Sequence, residues 1–112
     1  MSSLKMDTKM DTKILTNPNV GNLPFNSELV IREVSTTNWV TGSFRGFWFQ
    51  AKVFATPSTY GINEGRVSKL SVSKHDVFIG MNHLLFHYDR GMDIDHPIGH
   101  EIAALFDGVN ND

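Results

Sequence analysis

Polar and apolar positions alternate most regularly in the middle of the chain. Phe47, Phe49, Ala51 and Val53 fall on one side of an extended segment while Trp48, Gln50, Lys52 and Phe54 fall on the other, which is the period of a strand. The first set has the composition of a core. The second mixes rings with polar groups and either faces solvent or is partly covered by a neighbour. Trp39 to Phe44 reads as the preceding strand, and Gly46 in the intervening Arg45-Gly46 pair supplies the positive φ of a tight hairpin. Upstream, Glu28 to Ser35 is short and β-branched, so it predicts a strand. The second strand of the hairpin runs from Phe47 to Ala55. After a connection punctuated by Pro57, Gly61 and Gly65, Arg66 to Ser73 returns as a strand, and Asp76 to Gly80 with His83 to Tyr88 predict a further hairpin.

The period changes beyond the acidic loop that ends at Asp95. Pro97 suits the first turn of a helix, Ile98, Ile102, Ala103, Leu105 and Phe106 recur at helical spacing, and Gly108 supplies a stop. The expected architecture is α+β, an antiparallel sheet of about five strands with one C-terminal helix packed on one face, because each element must bury its apolar side. Residues 1–27 are expected to be a flexible polar leader that contains the echo Met6-Asp-Thr-Lys9 and Met10-Asp-Thr-Lys13. Within it Val20, Leu23 and Phe25 can pin the chain to the domain edge. Residues 28–108 form the domain and residues 109–112 a tail.

A chain of 112 residues is long enough for one core, and without cysteine it has no disulfide framework, thiolate metal site or cysteine nucleophile. It carries neither a signal-peptide pattern nor the roughly 18 uninterrupted apolar residues of a membrane helix, so a cytoplasmic protein with no membrane partner is expected. Ten Lys and Arg against twelve Asp and Glu give a formal charge of -2. That balance fits neither a strongly basic nucleic-acid binder nor an acidic mimic, yet between Arg45 and Lys74 only Glu64 opposes Arg45, Lys52, Arg66, Lys69 and Lys74.

Two constellations offer chemistry. The first is Asp93, Asp95, His96 and His100, with Asp89, His87 and Glu101 nearby. A helix starting at Pro97 lets His96 and His100 point the same way, which suits a metal-dependent hydrolase. The order His-Pro-Ile-Gly-His-Glu is not that of the His-Glu-x-x-His metalloproteases. In the structural alternative His96 caps the helix and the acids favour its N-terminus. The second set is Arg45, Trp48, Lys52, Tyr60, Arg66 and Lys69, the cations and rings that a single-stranded nucleic-acid-binding module uses. The alternative for these is that Trp48 and Phe54 pack under the 57–65 loop while the cations pair with Glu28, Glu33 and Glu64. Tyr60 to Gly65 has two glycines but lacks the Gly-Lys-Ser/Thr ending of a phosphate loop, and no serine sits in a nucleophile elbow.

The pattern Phe47-x-Phe-x-Ala-Lys-Val-Phe54, Pro57-Ser58, Gly61-Ile62-x-x-Gly-Arg-Val-Ser-Lys-Leu70 and Tyr88-Asp-Arg-Gly-x-Asp93 resembles a small domain of unknown function found in bacteria and bacteriophages. The resemblance covers about Trp39 to Asp93 and brings no catalytic assignment and no cofactor. It implies a non-enzymatic phage or mobile-element protein that binds a host protein or protein complex in the host cytoplasm, such as an anti-CRISPR inhibitor of a host defence system. Contacts are then expected from Trp48, Tyr60, Arg66, Lys69, Arg90 and Met92, since aromatic and Arg side chains dominate interface energetics. A free sheet edge can also pair with a second copy to give a homodimer. The metal-dependent hydrolase and the nucleic-acid-binding module stand as the alternatives.

Overall fold

The computed structural model describes residues 15–74 and 84–108. Two short strands, β1 (Leu15–Asn17) and β2 (Gly21–Leu23), pair as a hairpin of their own. Six more follow one another across a single antiparallel sheet in chain order: β3 (Leu29–Val34), β4 (Trp39–Phe44), β5 (Phe47–Val53), β6 (Val67–Ser73), β7 (Leu84–Asp89) and β8 (Met92–Ile94). A 3-10 turn (Ile62–Glu64) interrupts the β5–β6 connection, and α1 (Pro97–Phe106) closes the fold. The α+β architecture and the C-terminal helix match the pattern read from the chain, and among the described residues the main sheet has six strands where about five were expected.

Two differences have physical causes. β8 has only three residues, too few for an alternation to register, and it forms because the turn at Arg90-Gly91 folds the chain back onto His87 and Tyr88. The chain is also folded from Leu15 onward, well before the boundary expected at residue 28. Val20, in the turn between β1 and β2, is fully buried in the core. The Asn38 side chain fastens that turn by donating from Nδ2 to the carbonyls of Asn19 and Val53, each at 3.0 Å. One buried side chain in a polar stretch leaves no periodic signal. The strand expected at Asp76 to Gly80 lies outside the described residues.

The faces of the sheet follow the alternation. Val40, Phe44, Phe49, Ala51, Val53, Leu70, Val72 and Phe86 point to one side, where α1 covers them with Ile98, Ile102, Ala103, Leu105 and Phe106. Phe106 meets Phe49 edge-on, with ring centroids 6.1 Å apart at 78°, and burying each such side chain contributes roughly 1.5–3 kcal/mol. Gly99 lets the helix approach closely, since a Cβ there would lie 2.2 Å from the Phe86 ring. The β4–β5 turn has φ 52° at Arg45 and 82° at Gly46, the positive pair of a two-residue hairpin turn. The Arg45 side chain pairs with Glu28 through Nε at 3.0 Å and with Glu101 through Nη1, tying this turn to β3 and α1. The hydrogen bond to Glu28 is the main reason its guanidinium pKa is raised, with burial opposing.

The other face of the sheet carries Thr41 on β4, Trp48, Gln50 and Lys52 on β5, and Lys69 and Ser71 on β6. Each is partly open to solvent.

Candidate ligand-binding cleft

Strand register places Lys52 directly opposite Lys69 on the open face. Like charges in that position repel across an antiparallel pair. The next residue in the same row, Asp89 on β7, takes Lys69 through Oδ1 at 3.7 Å and also meets Nε of Arg90 at 3.5 Å. Lys69 and Arg90 therefore share one carboxylate, and Lys52 has no part in it.

These three cations line a cleft of about 520 Å³ at the end of the sheet, together with Phe54, Thr56, Pro57, Ser58, Tyr60 and Ser68. Its volume is in the range of small-molecule and cofactor sites. No acidic side chain is in the lining. Phe54 and Tyr60 present rings at 38% and 62% exposure, so the cleft combines positive charge, hydroxyls and flat apolar surface.

The walls are held by the backbone. On one side, Ser58 N donates to Gly65 O and Gly61 N to Ser58 O, both at 3.0 Å, while the buried Ile62 anchors the loop in the core. Tyr60 is fixed at both ends of its backbone, its N–H donating to Ser58 Oγ at 3.0 Å and its carbonyl accepting from the Tyr88 hydroxyl at 2.9 Å. On the other side, Arg90 holds φ 57° and donates its N–H to Ser68 O at 3.0 Å. A non-glycine residue in that region is uncommon. The geometry fixes the base of the Arg90 side chain while leaving the guanidinium at the cleft.

A second cavity of about 360 Å³ opens on the same face between β3 and β5, lined by Arg32, Glu33, Thr41, Gly42, Trp48 and Gln50 with Phe49 beneath. A bulge between Ile31 and Glu33 makes Arg32 the extra residue of β3, and its Cζ lies 4.9 Å from the centre of the Trp48 ring. Lys52 Nζ stands 5.8 Å from the centre of the Trp39 ring. Cation–π contact of this kind holds both cations against the sheet surface.

The six residues expected to make contacts are thus distributed. Tyr60, Lys69 and Arg90 meet at the cleft, Trp48 lines the second cavity, and Met92 is exposed on β8 outside both. Arg66 has a different place. Its guanidinium donates from Nε to Phe54 O at 3.0 Å, from Nη1 to Phe106 O at 2.6 Å, and from Nη2 to Val20 O and Asn22 O at 2.7 Å each. Its backbone N–H donates to Asp107 Oδ1 at 2.8 Å. These bonds clasp the β1–β2 hairpin, the end of β5 and the end of α1. Burial lowers its pKa, with the charge of Asp107 opposing.

The acidic and histidine cluster is dispersed in the same way. His96 is the N-cap of α1, its Nδ1 accepting from Ile98 N at 3.1 Å. His100 Nε2 pairs with Asp95 at 2.6 Å, and His87 Nδ1 with Asp93 at 3.1 Å. Among the described residues no three His, Asp or Glu side chains are grouped to hold a metal ion, so Asp93, Asp95, His96 and His100 do not assemble into the site considered from their spacing.

Sequence reasoning did not place Phe54, Ser58 and Ser68 at a site, and Arg32 gave no signal at all. Phe54 and Lys52 belong to one segment, Ser58 to a second and Arg90 to a third, and only the register of β5, β6 and β7 brings these together. No helix among the described residues is long and apolar enough to cross a membrane. No curated protein and no solved structure matches the chain. Residues 38–110, well over half of the sequence, match the family described as Domain of unknown function (DUF7678), and the chain belongs to that family.

Proposed function

We propose that this is a binding protein whose cleft takes a phosphate-bearing anionic ligand. The observation that carries the reading is the cross-strand placement of Lys52 against Lys69, with Arg90 at the third corner and no acid in the cleft lining. An anion between the three relieves the Lys52–Lys69 repulsion, which Asp89 offsets only through Lys69 and Arg90. The rings of Phe54 and Tyr60 at the same opening suit a ligand that joins phosphate to a flat base. The fixed backbone of both walls supports a site formed before the ligand arrives, which lowers the ordering cost of binding.

A second reading is contact with a protein partner, as the phage-like resemblance implies for an inhibitor of a host defence system. The exposure of Tyr60, Met92 and Phe54 favours it, because exposed aromatics and Met anchor protein interfaces. Calorimetric titration with inorganic phosphate, a nucleoside monophosphate and an acidic peptide separates the two. The phosphate reading expects the nucleotide to bind and phosphate to compete with it. Binding of the acidic peptide alone refutes it in favour of the protein partner.

A further inference from the structure

The cleft and the second cavity lie on one face of one sheet, and the surface between them is polar. From the Lys52–Lys69 row the register leads to Gln50 opposite Ser71 and Thr41, then to Trp48 opposite Ser43. Arg32 closes this path at β3, stacked on Trp48. The path from β7 to β3 crosses four interstrand spacings of about 4.8 Å each, so it is roughly 20 Å long. Cations stand at both ends, hydroxyl and amide side chains lie between them, and rings line the route.

We propose that the ligand is a single-stranded nucleic acid that runs from the cleft across the open sheet face to the Arg32–Trp48 cavity. This rests on the phosphate reading of the cleft and names its ligand class. Lys52, Lys69 and Arg90 hold phosphate at one end. Thr41, Gln50 and Ser71 offer hydrogen bonds to sugar and phosphate along the middle. Arg32 and Trp48 provide a stacking platform at the other end, since bases stack on both guanidinium planes and indole rings. A path of this length accommodates about four nucleotides, the short end of single-strand sites on one small domain. Duplex does not fit the proposal, because stacking on Trp48 requires unpaired bases.

The protein carries its own reporter. Trp39 and Trp48 are its only two tryptophans and both belong to the open face. Stacking of a strand there quenches their emission, whereas a mononucleotide confined to the cleft leaves Trp48 unaffected.

The experiment titrates the full chain with thymidine monophosphate and with oligothymidylates of two, four, six and eight nucleotides. Affinity is read by calorimetry and stacking by tryptophan emission. The proposal expects affinity to rise to the four-nucleotide length and then level off, with quenching that saturates at the same ligand concentration. Trp48→Ala and the exposed-site variant Arg32→Ala should each weaken the four-nucleotide ligand about tenfold and leave the monophosphate unchanged. Equal affinity for monophosphate and oligomers, without quenching, overturns the track and leaves the cleft reading intact. If neither monophosphate nor oligomer binds, the cleft reading falls and the track with it.

Discussion

Replacing Arg66 with alanine removes one side chain and breaks four hydrogen bonds that join otherwise separate parts of the fold. Two acceptors, the carbonyls of Phe54 and Asn22, lie at exposed positions where water can take the place of the guanidinium. The other two, of Phe106 and Val20, are part-buried. A hydrogen bond from a charged donor is worth about 1.5–3 kcal/mol, so losing the two part-buried ones at the lower end of that range removes about 3 kcal/mol. That is a large share of the 5–15 kcal/mol or so that stabilises a domain of this kind. The melting temperature should fall by roughly 12–24 °C. Arg66→Lys keeps the charge but not the planar fork, and should fall between the alanine variant and the parent. Thermal melts followed by far-ultraviolet circular dichroism, with urea titrations for the free energy, measure both. An Arg66→Ala variant that melts within about 4 °C of the parent refutes the clasp, and ligand affinity would then become the role to test for this residue.

Two further substitutions probe the fold that presents the cleft. Gly99→Ala adds a methyl group 2.2 Å from the Phe86 ring. Overpacking of about 1–3 kcal/mol should outweigh the helix-propensity gain of up to about 1 kcal/mol, so the variant should be the less stable in urea, and a gain in stability contradicts the packing described. His96→Ala removes the N-cap of α1 and should cost about 1 kcal/mol. His96→Asn, which can still accept from the Ile98 amide, should lose only a few tenths; equal losses in both variants contradict a capping role.

The legibility of this chain in its sequence divides along a physical line. Features set by neighbours in sequence could be read. The alternation along Phe47 to Val53 assigned the two faces of β5, Gly46 marked its turn, and Pro97 with the apolar spacing beyond it marked α1 and its cap. Features set by distant partners could not. The acceptors of the Arg66 guanidinium lie 12 to 46 residues away and are backbone carbonyls, which carry no side-chain signature. Arg66 therefore looked like any other cation in a basic segment. The bulge that sets Arg32 over Trp48 likewise depends on how β3 pairs with β4. The cleft falls between these cases. Tyr60, Lys69 and Arg90 stood out by residue type, but their meeting depends on the register of three strands and on a two-residue turn with a positive φ at Arg90.

Lys52→Glu tests the central claim most directly because it separates binding from folding stability. In the unliganded protein it replaces the repulsion with Lys69 by an opposite-charge cross-strand pair, worth about 0.2–1 kcal/mol, and it gives up the contact with Trp39 at 5.8 Å, itself about 0.5–1 kcal/mol. Folding stability should therefore change little. In the liganded protein it sets a negative charge against phosphate, and affinity for a nucleoside monophosphate should fall at least about tenfold, or about 1.4 kcal/mol. Calorimetric titration of the variant and the parent, beside their urea unfolding curves, reads both quantities. Preserved stability with lost affinity is the predicted result. Nucleotide affinity unchanged in a folded Lys52→Glu variant contradicts a phosphate site between Lys52, Lys69 and Arg90.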